Sequence, residues 1–375
     1  MPDLWQRSID IIAANQSSSG AWVASPSFPV YRYSWLRDGA FIAHAMDRVG
    51  EHASAAAFFR WAARTITRHA GKVERVESKL CAGLALDESD YLHTRFTLAG
   101  EEAEGDWGNF QLDGYGTWLW ALSEHLRRTG DAALLAEVAP AVELTVRYLS
   151  ALWRVPNYDC WEEHPAYLHP YTLAAIHAGL RAAAGLPIAG GARAAAVAGE
   201  VRRFLLDHAA LGGRLVKSLD PTTLQPTLAE VDASLMGAIV PYGLLAPDDP
   251  IARATLAGIE RDLHRPGGGV YRYLADTYYG GGEWVLLAAW LGWAYVQAGD
   301  RERAMDLLRW VEAQADAQGH LPEQVAEHAL APGYVAVWEG RWGPIAKPLL
   351  WSHAMYLILR HALGLERSPR LEPLG

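Results

Sequence analysis

The feature that most constrains the fold of this chain is a series of helical segments joined by connections of alternating length. Apolar residues recur at the spacing of amphipathic helices, and glycine and proline separate the stretches. The pattern predicts twelve helices, over residues 3–15, 38–49, 52–70, 115–130, 132–153, 170–184, 190–208, 229–240, 248–263, 282–298, 301–317 and 349–363. The connection after every second segment is short, at Gly50, Gly130, Gly185, 241–247 and Gly299.

The other connections are mostly longer and rich in Trp, Tyr, Gly and Pro. Six helical hairpins with every long loop at the same end would form a ring of paired antiparallel helices. We therefore predict an all-α fold, an (α/α)6 barrel, with its active site in the long loops at one end. No charge run, low-complexity segment or Pro/Ser-rich linker divides the chain, so residues 1–375 are predicted to form a single domain.

The composition argues against several kinds of partner. With 33 Lys and Arg against 43 Asp and Glu, the net charge of -10 disfavours nucleic acids and anionic membranes. The sequence has neither a run of about 18 apolar residues nor the apolar region of a secretory signal. Cys81 and Cys160 lack metal-like spacing, which favours the reduced cytoplasm. A small neutral ligand fits best, and the oligomeric state is not indicated.

Two acidic motifs, WEE at 161–163 and LPEQ at 321–324, lie in separate predicted loops. Inverting hydrolysis of a glycosidic bond needs a protonated carboxyl and an ionised carboxylate roughly 6.5–9.5 Å apart, on either side of the sugar. Pro322 favours an extended conformation at Leu321, so Glu323 is read as a loop residue. Since adjacent glutamates seldom serve the same atom, one of Glu162 and Glu163 could be catalytic while the other binds or caps.

The histidines near the first motif raise the question of a metal. His164 and His169 match none of the spacings of helical zinc motifs. Scattered histidines elsewhere form no Ser/His/Asp or Cys/His arrangement. We therefore predict no metal and no cofactor.

Aromatic rings alternate with charges in the first long loop. Three rings, Tyr31, Tyr33 and Trp35, precede Arg37 and Asp38. A sugar has an apolar face that stacks on rings and hydroxyls that take charge-assisted hydrogen bonds, so this combination favours sugar binding. Asp38 could instead be the N-cap of the following helix.

Two further loops repeat this combination. Trp107, beside Gly108, is either an exposed stacking platform or the core of a folded-back loop, and Gln111 and Asp113 are possible hydroxyl partners. Arg272 stands between tyrosines, with Asp276 shortly after it. The neighbouring glycine runs match neither of the phosphate-binding motifs.

Taken in order, these motifs resemble those of glycoside hydrolase family 15, the glucoamylase-like inverting exo-glucosidases. YRYSWLRD is similar to the family's Y-x-Y-x-W-x-R-D, DWGNFQLDGYG to its W-G-x-x-Q-x-D-x-Y-G, and CWEEH to its acid-carrying segment. VYRYLADTYYGGGEW, LPEQV and PLLWSHAMYL look like its three later motifs. Each motif alone is weak, but the ordered set runs from about residue 29 to 360.

The resemblance implies an (α/α)6 barrel in which Glu162 is the general acid and Glu323 the base that activates water. It implies that Tyr31 helps to hold this water and that Glu163 lies close to the leaving sugar. It also implies that a further set of residues binds the terminal glucose or forms its aromatic walls: Trp35, Arg37, Asp38, Trp107, Trp161 and Arg272.

The first family motif begins within about 30 residues of the start, and no accessory domain is recognised. We therefore expect a cytoplasmic, inverting exo-α-glucosidase for a small α-glucoside, favouring isomaltose or an α-1,6-linked oligosaccharide and releasing β-glucose. A trehalase, or a glucoamylase or glucodextranase acting on longer α-glucans, is the alternative.

Two other classes are less well supported by the sequence. A catalytically silent sugar-binding protein would be expected to lack one of the two catalytic carboxyls. An isoprenoid cyclase on a similar toroid needs an Asp-rich motif such as DxDD. The nearest cluster, Asp248 and Asp249, is better read as the start of a helix after Pro247.

Overall fold

The structure, a computed structural model, describes residues 3–105, 107–228 and 230–365 and consists mainly of helices. The α-helices of this part are α1 Leu4–Ala14, α2 Leu36–Arg48, α3 His52–Arg68, α4 Ala70–Cys81, α5 Asp113–Thr129, α6 Ala132–Leu152, α7 Pro170–Ala184, α8 Gly191–His208, α9 Pro250–Leu263, α10 Val285–Gln297, α11 Arg301–Ala313, α12 Val335–Trp342 and α13 Leu350–Ala362. A 3-10 helix, Ala233–Ala238, stands between α8 and α9. Within the described ranges, no helix has the length and apolar character needed to cross a membrane.

Six elements form a closed inner ring. Going round it, α2 contacts α5, α5 contacts α7, α7 contacts the 3-10 helix, which contacts α10, then α13, and finally α2 again. Helices of such a ring are covered on all sides, and α10 is accordingly apolar almost all round. The outer helices are α1, α3, α6, α8, α9 and α11. The predicted (α/α)6 barrel is confirmed.

Short turns lead from inner to outer elements, as predicted. At the end of α5, Gly130 adopts φ 68°, a left-handed conformation that glycine takes at little cost. The side chain of Asp131 then accepts a hydrogen bond from the backbone N–H of Leu134 at 2.9 Å and caps α6. Five of the six inner elements are left through such a turn, so these five begin at the opposite end, where the long loops lie, and α13, the sixth, follows the last long loop.

Short antiparallel ribbons tie neighbouring loops together. The strands are β1 Ser34–Trp35, β2 Arg95–Phe96, β3 Ala210–Leu211, β4 Arg214–Leu215, β5 Ser218–Leu219, β6 Pro226–Leu228, β7 Glu283–Trp284 and β8 Gln324–Val325. They pair as β1 with β2, β3 with β4, β5 with β6 and β7 with β8. Since β1 and β7 directly precede α2 and α10, these pairs fix the loop residues that stand at the starts of inner helices.

The barrel axis below the long loops is filled by aromatic side chains. The ring centroid of Phe41 lies 5.2 Å from those of both Trp290 and Trp351. All three residues are buried. A cavity at the loop end is therefore closed at its base.

Three sequence predictions need correction. The predicted loop 71–114 contains α4, which buries only Val73 and Val76 and so has a weak apolar period. The stretch 329–348 contains α12, which has eight residues and buries none of them. Segment 229–240 is a 3-10 helix rather than an α-helix, and its first residue, Ala229, lies outside the described residues.

Candidate active site

A cavity of about 290 Å³ opens at the loop end of the barrel. All ten predicted site residues line it: Tyr31, Trp35, Arg37, Asp38, Trp107, Trp161, Glu162, Glu163, Arg272 and Glu323. Tyr31 and Glu323, which are hydrogen-bonded to each other, are 292 positions apart in the sequence. The loops therefore converge as the alternating connection lengths predict.

Glu162 is held in an unusual backbone conformation. Its φ of 66° lies in the left-handed region, which is uncommon for a residue other than glycine. The Asp159 carboxylate accepts hydrogen bonds from the backbone N–H groups of Trp161 and Glu163, both at 2.9 Å, and so stabilises the turn. Such strained residues cluster at functional sites.

The carboxyl group of Glu162 is fixed on both oxygens. The indole N–H of Trp35 donates to Oε1 at 2.6 Å, and that of Trp107 donates to Oε2 at 2.5 Å. Burial raises the pKa of Glu162 to about 7, although the guanidinium of Arg37, 3.7 Å from Oε1, lowers it. This carboxyl can therefore carry a proton near neutral pH.

Glu323 also lines the cavity and is 2% exposed. The hydroxyl of Tyr31 donates to its Oε1 at 3.1 Å and lies 2.8 Å from the hydroxyl of Tyr278. Oε2 is buried and forms no hydrogen bond with the described protein groups. Burial raises the pKa of Glu323 to about 8, against the lowering effects of the Tyr31 hydrogen bond and the Arg272 charge.

Arg37 and Asp38 lie in the first turn of α2. The Nη2 atom of Arg37 is 3.2 Å from Oδ2 of Asp38, and its Nη1 is 3.4 Å from Oδ2 of Asp113. The N-cap position is occupied by Trp35, so the alternative reading of Asp38 as N-cap is wrong. Gln111, 3.5 Å from Nη1 of Arg37, and Asp113 contact this guanidinium and are absent from the cavity lining.

Arg272 and Glu163 form a second polar group of the cavity. Asp276 holds the guanidinium of Arg272 with two hydrogen bonds of 2.7 and 2.5 Å. Glu163 accepts from Arg272 at 3.4 Å and from the hydroxyl of Tyr273 at 2.5 Å. Glu162 and Glu163 thus have separate sets of partners, as expected for adjacent glutamates with different tasks.

Sequence reasoning missed several lining residues. They are Tyr278, Trp284, Trp338, Arg341, Trp342 and Trp351. Tyr278 and Trp284 lie in the DTYYGGGEW stretch and Trp351 in PLLWSHA, so the aromatic content of those motifs was a usable signal. The residues of α12 lie in a connection predicted to be a loop and outside all the quoted motifs, so they were not singled out.

Arg95 was missed as well, although it does not line the cavity. Its guanidinium stacks 4.6 Å from the ring of Tyr33 and 4.4 Å from that of Trp107. Both Trp35 and Arg95 are held by the pairing of β1 with β2. Arg95 therefore packs against both tryptophans that bind Glu162.

Two groups of side chains have the composition of metal ligands. Asp159, Glu163 and His164 are one, and Asp47, His52 and His125 the other. The first group is engaged by protein donors, since Asp159 caps the turn and Glu163 binds Arg272 and Tyr273. In the second, both imidazoles lie within hydrogen-bonding distance of the Asp47 carboxylate, at 2.9 and 2.8 Å. Hydrogen bonds thus engage the carboxylates of both groups, and the absence of a metal stays a prediction.

The chain is similar to several known glycosidases. An isomaltose glucohydrolase of Kribbella flavida is 42% identical over 97% of this chain and 93% of its own length. A trehalase of Sulfolobus acidocaldarius is 24% identical over 82% of this chain and 56% of its own. A glycosidase solved in complex with glucose is 41% identical, with a TM-score of 0.92 over 97% of each chain. The model of the glycosyl hydrolases family 15 matches residues 3–345. The chain therefore belongs to glycosyl hydrolase family 15 and is a glycoside hydrolase.

Proposed function

We propose that this glycoside hydrolase removes the non-reducing terminal glucose of isomaltose, or of a short α-1,6-linked oligosaccharide, with inversion to β-glucose. The observation that carries the proposal is that two carboxyls, the half-buried Glu162 and the buried Glu323, line one cavity walled by tryptophans. The relative named isomaltose glucohydrolase, 42% identical over nearly the whole chain, supports the choice of substrate.

Glu162 is proposed as the general acid. Its raised pKa, about 7, lets it hold a proton near neutral pH, and its two indole contacts fix the carboxyl in one orientation. Protonation of the glycosidic oxygen turns the leaving sugar into a neutral alcohol as the bond to the anomeric carbon breaks. The ionised Glu162 then left behind is stabilised by Arg37, whose Nη2 lies 3.7 Å away.

Glu323 is proposed as the base that accepts a proton from the attacking water. Its Oε1 is occupied by Tyr31, whereas its buried Oε2 makes no bond to the described protein groups and can accept from this water. A hydrogen bond donated to a carboxylate lowers its pKa, so binding of the water favours the ionised form that a base requires. Attack from the face opposite the leaving oxygen inverts the anomeric carbon.

The charged residues at the base of the cavity are proposed to hold the terminal glucose. Arg37, Asp38 and Arg272 are buried and fixed by carboxylates or by each other. Their remaining donors and acceptors suit the hydroxyls of a neutral sugar. Trp35, Trp107 and Trp161 provide apolar walls for its ring.

The other substrates considered have weaker support. The trehalase is 24% identical to this chain, below the 42% of the isomaltose glucohydrolase. Longer α-glucans would need further sugar sites outside a cavity of about 290 Å³. We place the enzyme in the cytoplasm because Cys81 is an exposed free thiol, which suits a reducing compartment.

The proposal is tested by following cleavage of isomaltose, trehalose and maltose by proton NMR. The expected result is that isomaltose is cleaved with the highest kcat/KM and that the glucose formed first is richer in the β-anomer than the equilibrium mixture, because the leaving sugar keeps the anomeric mixture of the reducing end. An initial excess of α-glucose over the equilibrium mixture would contradict inversion. A higher kcat/KM for trehalose than for isomaltose would leave the proposed mechanism unchanged and identify trehalose as the preferred substrate.

A further inference from the structure

We propose that α12 is the binding site for the leaving sugar, with the Trp342 ring as its stacking surface and the Arg341 guanidinium as its hydrogen-bond donor. The inference rests on the proposed function and adds the residues that select the second sugar. The motifs of the sequence do not include α12, and both residues line the cavity.

Burial places α12 at the mouth of the cavity. Arg37, Asp38 and Glu323 are between 2% and 7% exposed, whereas Trp342 is half-buried and Arg341 is exposed. In a cavity closed at its base, the terminal glucose occupies the deep part and the leaving sugar must lie towards the opening. The cavity residues of α12 are therefore on the leaving-sugar side.

Trp342 also adjoins the proposed acid. Its ring stacks on that of Trp107 with centroids 5.7 Å apart and an interplanar angle of 29°. Trp107 in turn donates its indole N–H to Glu162. Since the acid must reach the oxygen between the two sugars, a ring packed beside Trp107 is positioned to contact the sugar on the far side of that oxygen.

The attachment of α12 indicates a binding role rather than a core role. No residue of the helix is buried. Two hydrogen bonds attach the helix and its C-cap to the 277–281 segment. The Trp338 indole donates to the Thr277 carbonyl at 2.9 Å, and the Tyr279 hydroxyl donates to the carbonyl of Gly343, the C-cap residue, at 2.7 Å. The helix thus contributes little to the core and presents its rings to the cavity.

The chemistry of Arg341 and Trp342 suits a neutral sugar. The guanidinium of Arg341 lies 4.8 Å from the Trp342 ring and 5.5 Å from the Trp338 ring. Among the described residues it makes these ring contacts and no ion pair, so its N–H groups are available for hydroxyls. An aromatic face beside a charged donor is the arrangement that binds a pyranose.

The test compares Arg341→Ala and Trp342→Ala on isomaltose and on α-glucosyl fluoride, which has no leaving sugar. Val337→Ala is the matched control because Val337 lies on the same helix, is 59% exposed and does not line the cavity. We expect KM for isomaltose to rise about tenfold in each test variant, as loss of roughly 1.4 kcal/mol of binding predicts. Activity on the fluoride should stay within about twofold of wild type, which also shows that the variants fold.

Two results would overturn the inference while wild type cleaves isomaltose: unchanged KM values for isomaltose, or equal losses on both substrates. Trp342→Phe keeps an aromatic face and should recover most of the loss. Trp342 could act instead by positioning Glu162 through Trp107, and that role would shift the alkaline limb of the pH profile, whereas lost sugar binding would not. A wild-type enzyme that is inactive on isomaltose contradicts the proposed function itself.

Discussion

At the scale of single residues, Glu162 and Glu323 have different hydrogen-bond partners, in line with their different proposed roles. Glu162→Gln removes the proton that the leaving oxygen needs, so kcat/KM for isomaltose should fall by at least roughly 10² to 10⁴. Fluoride leaves without protonation, so the loss on α-glucosyl fluoride should be much smaller. Steady-state kinetics on both substrates check this.

Glu163→Gln provides the control for that substitution, because Glu163 is adjacent but bonded to Arg272 and Tyr273 instead of the two indoles. It should weaken substrate binding more than turnover. Complete loss of turnover in Glu163→Gln, with an active Glu162→Gln, would exchange the assignments of the two neighbours.

The buried carboxyl of Glu323 should cost stability at neutral pH. Its pKa is raised from 4.5 to about 8, so the folded protein binds the proton more tightly than the unfolded chain does. The stability contributed by this group is therefore complete at low pH and is lost as the pH rises from about 4.5 to about 8. Glu323→Gln, which cannot ionise, should raise the stability by about 1–3 kcal/mol at pH 8 and by little at pH 4.

Thermal unfolding of wild type and Glu323→Gln between pH 4 and 8 measures this difference. Glu327→Gln is the control, because Glu327 is four positions away and exposed. If the gain in Tm shrinks as the pH rises, ionisation of Glu323 does not destabilise the folded protein and the prediction is wrong.

The sequence predicted the polar residues of the site more completely than its aromatic ones. Arg37, Asp38, Glu162, Glu163, Arg272 and Glu323 stand in short motifs where charge and rings alternate, and all line the cavity. Trp338 and Trp342 lie between the last two motifs, on α12, which buries no residue and has almost no apolar period. The sequence therefore assigned them neither to the core nor to the site.

At the scale of elements, close packing of inner helices depends on glycine. A Cβ atom on Gly179 of α7 would lie 2.4 Å from the carbonyl oxygen of Gly116 on α5, a backbone atom that cannot easily move. Gly179→Ala should therefore destabilise the protein by about 1–3 kcal/mol through overpacking. Urea unfolding measures the loss.

The same substitution elsewhere isolates this effect from helix propensity. Gly199 of α8 would bring its Cβ only to 3.8 Å from the Arg203 side chain. Gly199→Ala should be neutral or stabilising by up to about 1 kcal/mol, because alanine is the better helix former. Equal losses for the two variants would mean that the contact between α5 and α7 is not the cause.

The helix predictions were accurate where a helix buries a full apolar stripe, and two helices that bury little were missed. Eleven of the twelve predicted segments, all except 229–240, appear as α-helices within a few residues of their predicted bounds. The sequence did not predict α4 and α12. Because α4 buries two residues and α12 buries none, burial imposes almost no apolar period on either helix. In the 229–240 segment, Gly237 packs against Tyr171 and Trp290, and tertiary contacts of this kind leave no mark on local periodicity.

At the scale of the molecule, the barrel explains why the site lies where it does. All six inner elements begin at the loop end, so the partial positive charge of their N-termini is directed there. That field favours carboxylates, and Asp38 in the first turn of α2 and Asp113 in that of α5 occupy such positions. The assignment of residues 1–375 to one domain stays a prediction.

The overall shape also predicts a preference for short substrates. The cavity of about 290 Å³ is closed below by Trp351 and bordered at its mouth by α12, so a third sugar would have to displace the helix or extend into water without support. We expect kcat/KM to fall from isomaltose to isomaltotriose to a long dextran, compared at equal concentrations of non-reducing ends. A steady rise of kcat/KM with chain length would instead indicate several consecutive sugar-binding sites and would favour the glucodextranase or glucoamylase alternative. Because all three substrates share the same terminal linkage, the comparison reports on chain length alone.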